Sequence, residues 1–164
     1  MKKLAAAVLT LLLLALSLSG CASEKTLTLN VYNWGEYISD GSEGTLNVNT
    51  AFEAYYYEQT GTRVRVNYTT YASNEDMYNK ISSGAVSYDV IIPSDYMIAR
   101  MVNEGLLQPL NFDNIPNYKN IDSNFKGLYY DADDLYSVPY AYGIVGVIYD
   151  ANVVDEADAK DWDL

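Results

Sequence analysis

Within Tyr32-Asn33-Trp34-Gly35-Glu36-Tyr37, the last four residues carry two aromatic rings and a carboxylate. A cation over an aromatic face gains about 0.5 to 2 kcal/mol, depending on how well it is desolvated. A carboxylate accepts a charge-assisted hydrogen bond from an amine. Trp34, Glu36 and Tyr37 together therefore suit a ligand that is cationic and partly apolar. A second cluster, Pro93-Ser94-Asp95-Tyr96, adds a hydroxyl acceptor in Ser94 and a third ring in Tyr96. Each residue also has an ordinary use: Trp34 as a cap on the core, Glu36 as a solvated charge, Tyr96 as the first turn of a helix. Residue chemistry alone leaves both uses open.

Other chemistries find less support. The chain contains no histidine, and Cys21 is its one cysteine, so histidine and disulfide chemistry have no residues to work with. Asp131, Asp133 and Asp134 suggest a calcium loop, but an EF-hand begun at Asp131 needs Gly at position 136 and Glu at 142, and both are tyrosine. The sequence predicts a solvated acidic loop there and no metal site or cofactor. A glycosidase pair chosen from 22 acidic residues has no specific support. The 17 tyrosines would equally suit stacking on carbohydrate.

The elements that must hold these residues are legible from periodicity. Leu27, Leu29 and Val31 alternate with polar residues, as in a half-buried strand, so the first cluster falls at a strand's C-terminal end, followed by a loop rich in Gly, Ser and Asp. From Leu46 to Gln59, Val48, Phe52 and Tyr55 or Tyr56 recur at helical spacing, with Gly61 as C-terminal cap. Residues 63 to 71 alternate again. Ser73 and Asp76 resemble a capping box before a helix carrying Met77 and Ile81 that ends at Ser83-Gly84. Val90-Ile91-Ile92 is continuously apolar, the pattern of a central parallel strand covered on both faces. Tyr96, Ile98, Met101 and Val102 mark a further helix ended by Gly105. Residues 136 to 142 and 144 to 149 read as extended segments. If the strands before the two clusters are parallel, both clusters open at one edge of one sheet, where open α/β folds bind ligands.

Lys2 and Lys3 precede an apolar run from Leu4 to Leu18, too short for a membrane span, and Leu18-Ser19-Gly20-Cys21 reads as a lipoprotein processing box. The sequence thus predicts a signal peptide over 1–20 and a lipidated Cys21, with 21–25 as the N-terminus and a short linker; multiple acyl chains anchor stably where one is marginal. The formal charge is −12. Loss of Lys2 and Lys3 makes it more negative still. Such a surface repels nucleic acid and steers cations inward, although acidity also serves solubility alone.

Several co-linear stretches carry a resemblance: Tyr32-Asn33-Trp34 with Glu36-Tyr37; Thr70-Tyr71 with Ser73-Asn74-Glu75 and Met77-Tyr78; Tyr88-Asp89-Val90 leading into Pro93-Ser94; and Tyr136-Ser137-Val138-Pro139-Tyr140. In these the chain resembles the extracytoplasmic spermidine/putrescine-binding proteins of bacterial ABC transporters. The resemblance implies an α/β fold of the periplasmic-binding-protein-like type II kind, its first lobe a mostly parallel sheet with flanking helices. That lobe would span 26–140, with 141–164 as the hinge crossover and the start of a truncated second lobe. Ligand contacts are implied at Trp34, Glu36, Tyr37, Ser94 and Tyr96, with Gly35 in the binding loop where some members have a hydroxyl residue. The implied role is not enzymatic: capture of putrescine or spermidine, and delivery to the permease subunits of the importer. The protein would sit on the outer face of the cytoplasmic membrane or in the periplasm, anchored through Cys21. The alternative class is a lipid-anchored surface protein that binds or acts on glycans through the same tyrosines.

Overall fold

The computed structural model describes residues 25–159. Cys21, the predicted signal peptide and the final residues around Trp162 lie outside the described residues. The chain divides into two compact units, separated in sequence between Pro93 and Ser94.

The first unit is a three-stranded parallel sheet with two helices. Strand β1, Leu27–Trp34, pairs along its length with β2, Val64–Tyr71, in a register from Leu27 opposite Val64 to Trp34 opposite Tyr71. On its other side it pairs with β3, Val90–Ile91, through Val31 opposite Val90 and Tyr32 opposite Ile91. The strand order is β2-β1-β3. Chain direction across the sheet therefore reverses at β1, the arrangement that opens a crevice at the C-terminal strand ends of doubly wound folds.

The connecting helices form where local chemistry demands them. Helix α1, Val48–Thr60, starts at Asn47, whose side chain accepts from the Thr50 amide at 3.0 Å, and ends at Gly61, whose φ of 68° is costly for other residues. Helix α2, Asn74–Ser82, starts at Ser73, whose hydroxyl accepts from the Asp76 amide at 3.1 Å. Gly61 and Ser73 are the caps expected from the sequence, whereas Asn47 as a helix start is not. Met77 of α2 is fully buried, worth about 1.5 to 3 kcal/mol; Tyr32, Tyr71 and the polar Asn33 and Asn74 of this unit are buried as well. The Glu53 carboxylate of α1 accepts from the Val66 amide at 2.7 Å, tying the helix to β2.

Two expectations change. The apolar run 90–92 is not the central strand. It holds the edge of the described sheet and Val90 is 43% exposed, because β1 takes the centre. Val48 and Phe52 of α1 have helical spacing but are exposed; of the alternatives Tyr55 and Tyr56 it is Tyr56 that is half-buried, with Asn49, Ala51 and Glu53 half-buried as well.

The second unit begins with α3, Asp95–Asn103, which buries Met97 and Met101. These two methionines, and not Tyr96, define its apolar face. Arg100 and Glu104 pair across one turn at 3.0 Å in an exposed setting, which contributes little. Gly105 then leaves the helix at a φ of 67°. Short 3-10 turns follow at Phe112–Asn114, Pro116–Asn120 and Ser123–Phe125.

The acidic stretch after them is a solvated loop only in part, since Asp133 is exposed and Asp131 is not. Asp131 is buried and accepts from the amides of Leu135, Tyr136 and Ser137 and from the Ser137 hydroxyl, at 2.8 to 2.9 Å. Burial by itself would push this carboxyl up; the bonds from Leu135, Tyr136 and Ser137 outweigh it and hold the group below its ordinary value. Residues 136 to 142 and 144 to 149, expected to be extended, form no strand pairing among the described residues. Ile144, Val145 and Ile148 stand 81 to 100% exposed, since a strand needs a partner and none lies among the described residues.

Candidate ligand-binding site

The loop after β1 is built by its first residues. Asn33 is buried, and its side-chain oxygen accepts from the Trp34 amide at 2.7 Å, so the ladder stops and the chain turns. Trp34 is half-buried, its ring 4.8 Å from that of Tyr71 at 54°. Gly35 and Glu36 form the turn. A Cβ at Gly35 would meet nothing within 4 Å. Glu36 has a φ of 57°, a left-handed conformation that costs a residue with a side chain roughly 1 kcal/mol and that clusters at functional loops. Glu36 is exposed and Tyr37 is 45% exposed. The far end of the loop is anchored to α1: the Val48 amide donates to the Ser39 carbonyl at 3.1 Å, and the Asn47 side chain donates to the Asp40 carbonyl at 2.7 Å.

Trp34 packs as the core-cap reading expects. One side rests on Tyr71, as a core cap would, while the residues after it project from the end of the sheet. Behind it runs an aromatic stack on the same sheet face, since Tyr32 and Trp34 are two apart on β1 and Tyr71 lies opposite Trp34. Tyr32 meets Tyr71 edge-on at 4.9 Å and stacks on Tyr88 at 4.4 Å. The Lys80 ammonium of α2 lies 4.8 Å from the Tyr32 ring and 5.7 Å from that of Tyr88. A hydrogen bond with Tyr88, assisted by the nearby phenols, raises the Lys80 pKa. An alkylammonium against tyrosine faces is therefore already part of this unit.

β1 and β3 are parallel, so the strands that lead into the two predicted clusters run to the same end of the sheet. In the second unit, Ser94 is the N-cap residue of α3 without a side-chain capping bond, and its carbonyl accepts from the Met97 and Ile98 amides. Tyr96 is 49% exposed, away from the Met97–Met101 face. A helix N-terminus disfavours a cation. Asp95, whose carboxylate accepts from the Tyr96 amide at 2.7 Å, puts a negative charge in that first turn. Asp95 also bonds the Tyr129 hydroxyl and raises its pKa. A shallow cavity of about 200 Å³, lined in part by Val102, Tyr129, Tyr130 and Asp131, lies in the same unit, and none of the six predicted residues lines it.

Residues 50–164 match the family model of bacterial extracellular solute-binding proteins. The chain belongs to that family. Among its relatives is the spermidine/putrescine-binding periplasmic protein of Escherichia coli K12, 31% identical over an alignment 165 residues long that covers 99% of this chain and 43% of that protein. The chain thus spans less than half the length of this curated relative. Among solved structures it is similar to the spermidine/putrescine ABC transporter substrate-binding protein PotD of Streptococcus pneumoniae, at 38% identity and a TM-score of 0.63 over 79% of this chain and 36% of that one. It is similar also to the Tp0655 (TpPotD) lipoprotein of Treponema pallidum, at 34% identity and a TM-score of 0.55 over 70% of this chain and 32% of that one.

Behind the loop, Tyr32, Tyr71 and Tyr88 belong to the stretches that carry the resemblance but have no role assigned from sequence, and Lys80 is not singled out there at all. Tyr71 carried a signal in its parity. Once β1 and β2 are in register, it must face the same side as Trp34.

Proposed function

We propose that this chain is the ligand-capturing part of a polyamine importer's solute-binding component, and that Trp34, Gly35, Glu36, Tyr37, Ser94 and Tyr96 are ligand-binding residues. The observation that carries the reading is the position of the aromatic and acidic loop. It leaves the C-terminal end of β1, the strand at which the order β2-β1-β3 reverses. There Trp34 and Tyr37 supply faces for alkylammonium groups and methylenes, and exposed Glu36 supplies a carboxylate acceptor. In the second unit, Ser94 and Tyr96 offer a hydroxyl and a half-exposed ring of the same chemistry. The names of the relatives support putrescine and spermidine as ligands and ABC permease subunits as partners. A lipid anchor at Cys21 would hold the protein on the outer face of the membrane or within the periplasm, a reading supported by the lipoprotein relative. The glycan-binding alternative has no comparable support.

Calorimetric titration of the complete protein with putrescine, spermidine and a neutral sugar tests the reading. Polyamine should bind and sugar should not. Trp34→Ala and Tyr37→Ala should each weaken polyamine binding by about 1 to 3 kcal/mol, and Glu36→Gln by somewhat less. Unchanged affinity in both aromatic variants, with folding intact, would remove the loop from the site.

A further inference from the structure

Tyr71, the last residue of β2, makes two kinds of connection. Its ring packs on Trp34 at 4.8 Å and on Tyr32 at 4.9 Å, and its hydroxyl donates to the Ile92 carbonyl. The residue is 6% exposed, so both connections are made in an interior where a lost polar partner is not replaced by water. Ile92 in turn donates its amide to the Tyr32 carbonyl at 3.2 Å and stands two residues before Ser94. One side chain therefore supports the tryptophan of the first cluster and fixes the backbone from which the chain enters the second.

We infer that Tyr71 is a positioning residue of the polyamine site, its ring setting the plane of Trp34 and its hydroxyl holding the Ile92 carbonyl so that the Pro93-Ser94 segment is ordered before ligand arrives. The inference rests on the polyamine reading above and deepens it. Tyr71 itself is not placed against ligand. Its effect is preorganisation: a segment already ordered in the free protein costs binding nothing, whereas one that must be ordered on binding subtracts from affinity. The two halves of the side chain separate the two effects. Tyr71→Phe keeps the ring against Trp34 and removes the bond to Ile92; Tyr71→Leu removes both.

The test uses the complete protein carrying Trp162→Phe, which leaves Trp34 the sole reporting tryptophan of residues 1–164. Spermidine affinity, Trp34 emission and melting temperature are measured for Tyr71→Phe, Tyr71→Leu, Trp34→Ala and Val66→Ala. Val66 is on β2 but points to the opposite sheet face, so its truncation lowers stability without touching the ring stack. Tyr71→Phe should bind about three- to tenfold more weakly, the span of one neutral hydrogen bond, with parental Trp34 emission. Tyr71→Leu should lose more affinity and shift Trp34 emission to the red. Val66→Ala should melt earlier yet bind within twofold of the parent. A Tyr71→Phe protein that binds like the parent, while Trp34→Ala does not, overturns the inference alone. Weakened binding in Val66→Ala that tracks its melting temperature reduces Tyr71 to a structural role and overturns it too. Parental binding in Trp34→Ala overturns the polyamine site itself, and the inference with it.

Discussion

Removing the Asp131 carboxylate should be among the most damaging single changes in the second unit. Four donors converge on it: three consecutive main-chain amides, from Leu135 to Ser137, and the Ser137 hydroxyl. A hydrogen bond to a charged group is worth about 1.5 to 3 kcal/mol, and a buried donor left alone costs about 1 to 3 kcal/mol. The contributions do not add, because the Ser137 hydroxyl can rotate away and the neighbouring residues 132 and 133 are exposed, letting some water in. For Asp131→Ala the expected loss is about 3 to 5 kcal/mol, the range found on breaking a buried charged network. For Asp131→Asn it is about 2 to 3 kcal/mol, since one oxygen remains but an amide group now faces donors. Asp131→Ala should lower the melting temperature by about 10 to 20 °C. The pH dependence has a definite sign. The folded pKa lies below the ordinary value of 3.8, so the carboxylate's contribution is complete above that value and fades as pH falls through the folded pKa. Urea unfolding of parent and variants at pH 7, and again in acid below pH 3.8, reads both effects. A variant within about 0.5 kcal/mol of the parent at pH 7, or a gap that fails to narrow in acid, would refute the reasoning.

The Cys21→Ala protein should leave the membrane fraction, or accumulate as an unprocessed precursor; resistance to carbonate washing equal to the parent's would contradict the lipid anchor. Because Glu36 holds a φ of 57°, Glu36→Gly should raise the urea midpoint by an amount equal to about 0.5 to 1 kcal/mol while weakening spermidine binding, and a lower midpoint would show that the backbone there is unstrained. Open space around Gly35 predicts that Gly35→Ser changes stability by less than about 0.5 kcal/mol, and a drop beyond 1 kcal/mol in the same assay would show a close neighbour. Burial tends to raise the Tyr88 pKa, and hydrogen bonds with Lys80 and Thr69 bring it below the ordinary value, so Lys80→Met should move it upward; carbon NMR of labelled tyrosine rings follows that titration, and an unmoved Tyr88 would discount the Lys80 bond.

What the sequence made legible was local. Gly61 as a left-handed cap and Ser73 as a helix start depend on neighbours within four residues and appear as expected, while the first strand runs on through Asn33 and Trp34, where a loop was expected. Strand order is not local. The apolar stretch 90–92 reads as a strand covered on both faces, yet which strand lies centrally depends on pairing across some sixty positions. The same holds for residues 144 to 149, whose composition suits a strand although none of the described residues pairs with them. Asp131 was missed for another reason. Its partners are mainly amides, which every residue but proline carries, so no side-chain pattern announces them. At the candidate site the residues with functional chemistry were visible, whereas the supporting rings of Tyr32, Tyr71 and Tyr88 became readable only with the strand register in hand.

The bond from the Val66 amide to Glu53 also bears on how copies of this protein behave in a crowded solution. β2 is an outer strand of the described sheet, and an outer strand's unclaimed amides are sticky: a neighbouring molecule can add its own strand there and begin a chain of like contacts. Glu53 occupies one such amide midway along β2 and sets a negative charge beside it. An approaching copy, already acidic overall, would have to displace that carboxylate and strip its water before pairing. A side chain that fastens a helix to a sheet thereby also guards the molecule's colloidal integrity. Glu53→Leu would remove that guard, turning a flank that repels its own kind into one that recruits it.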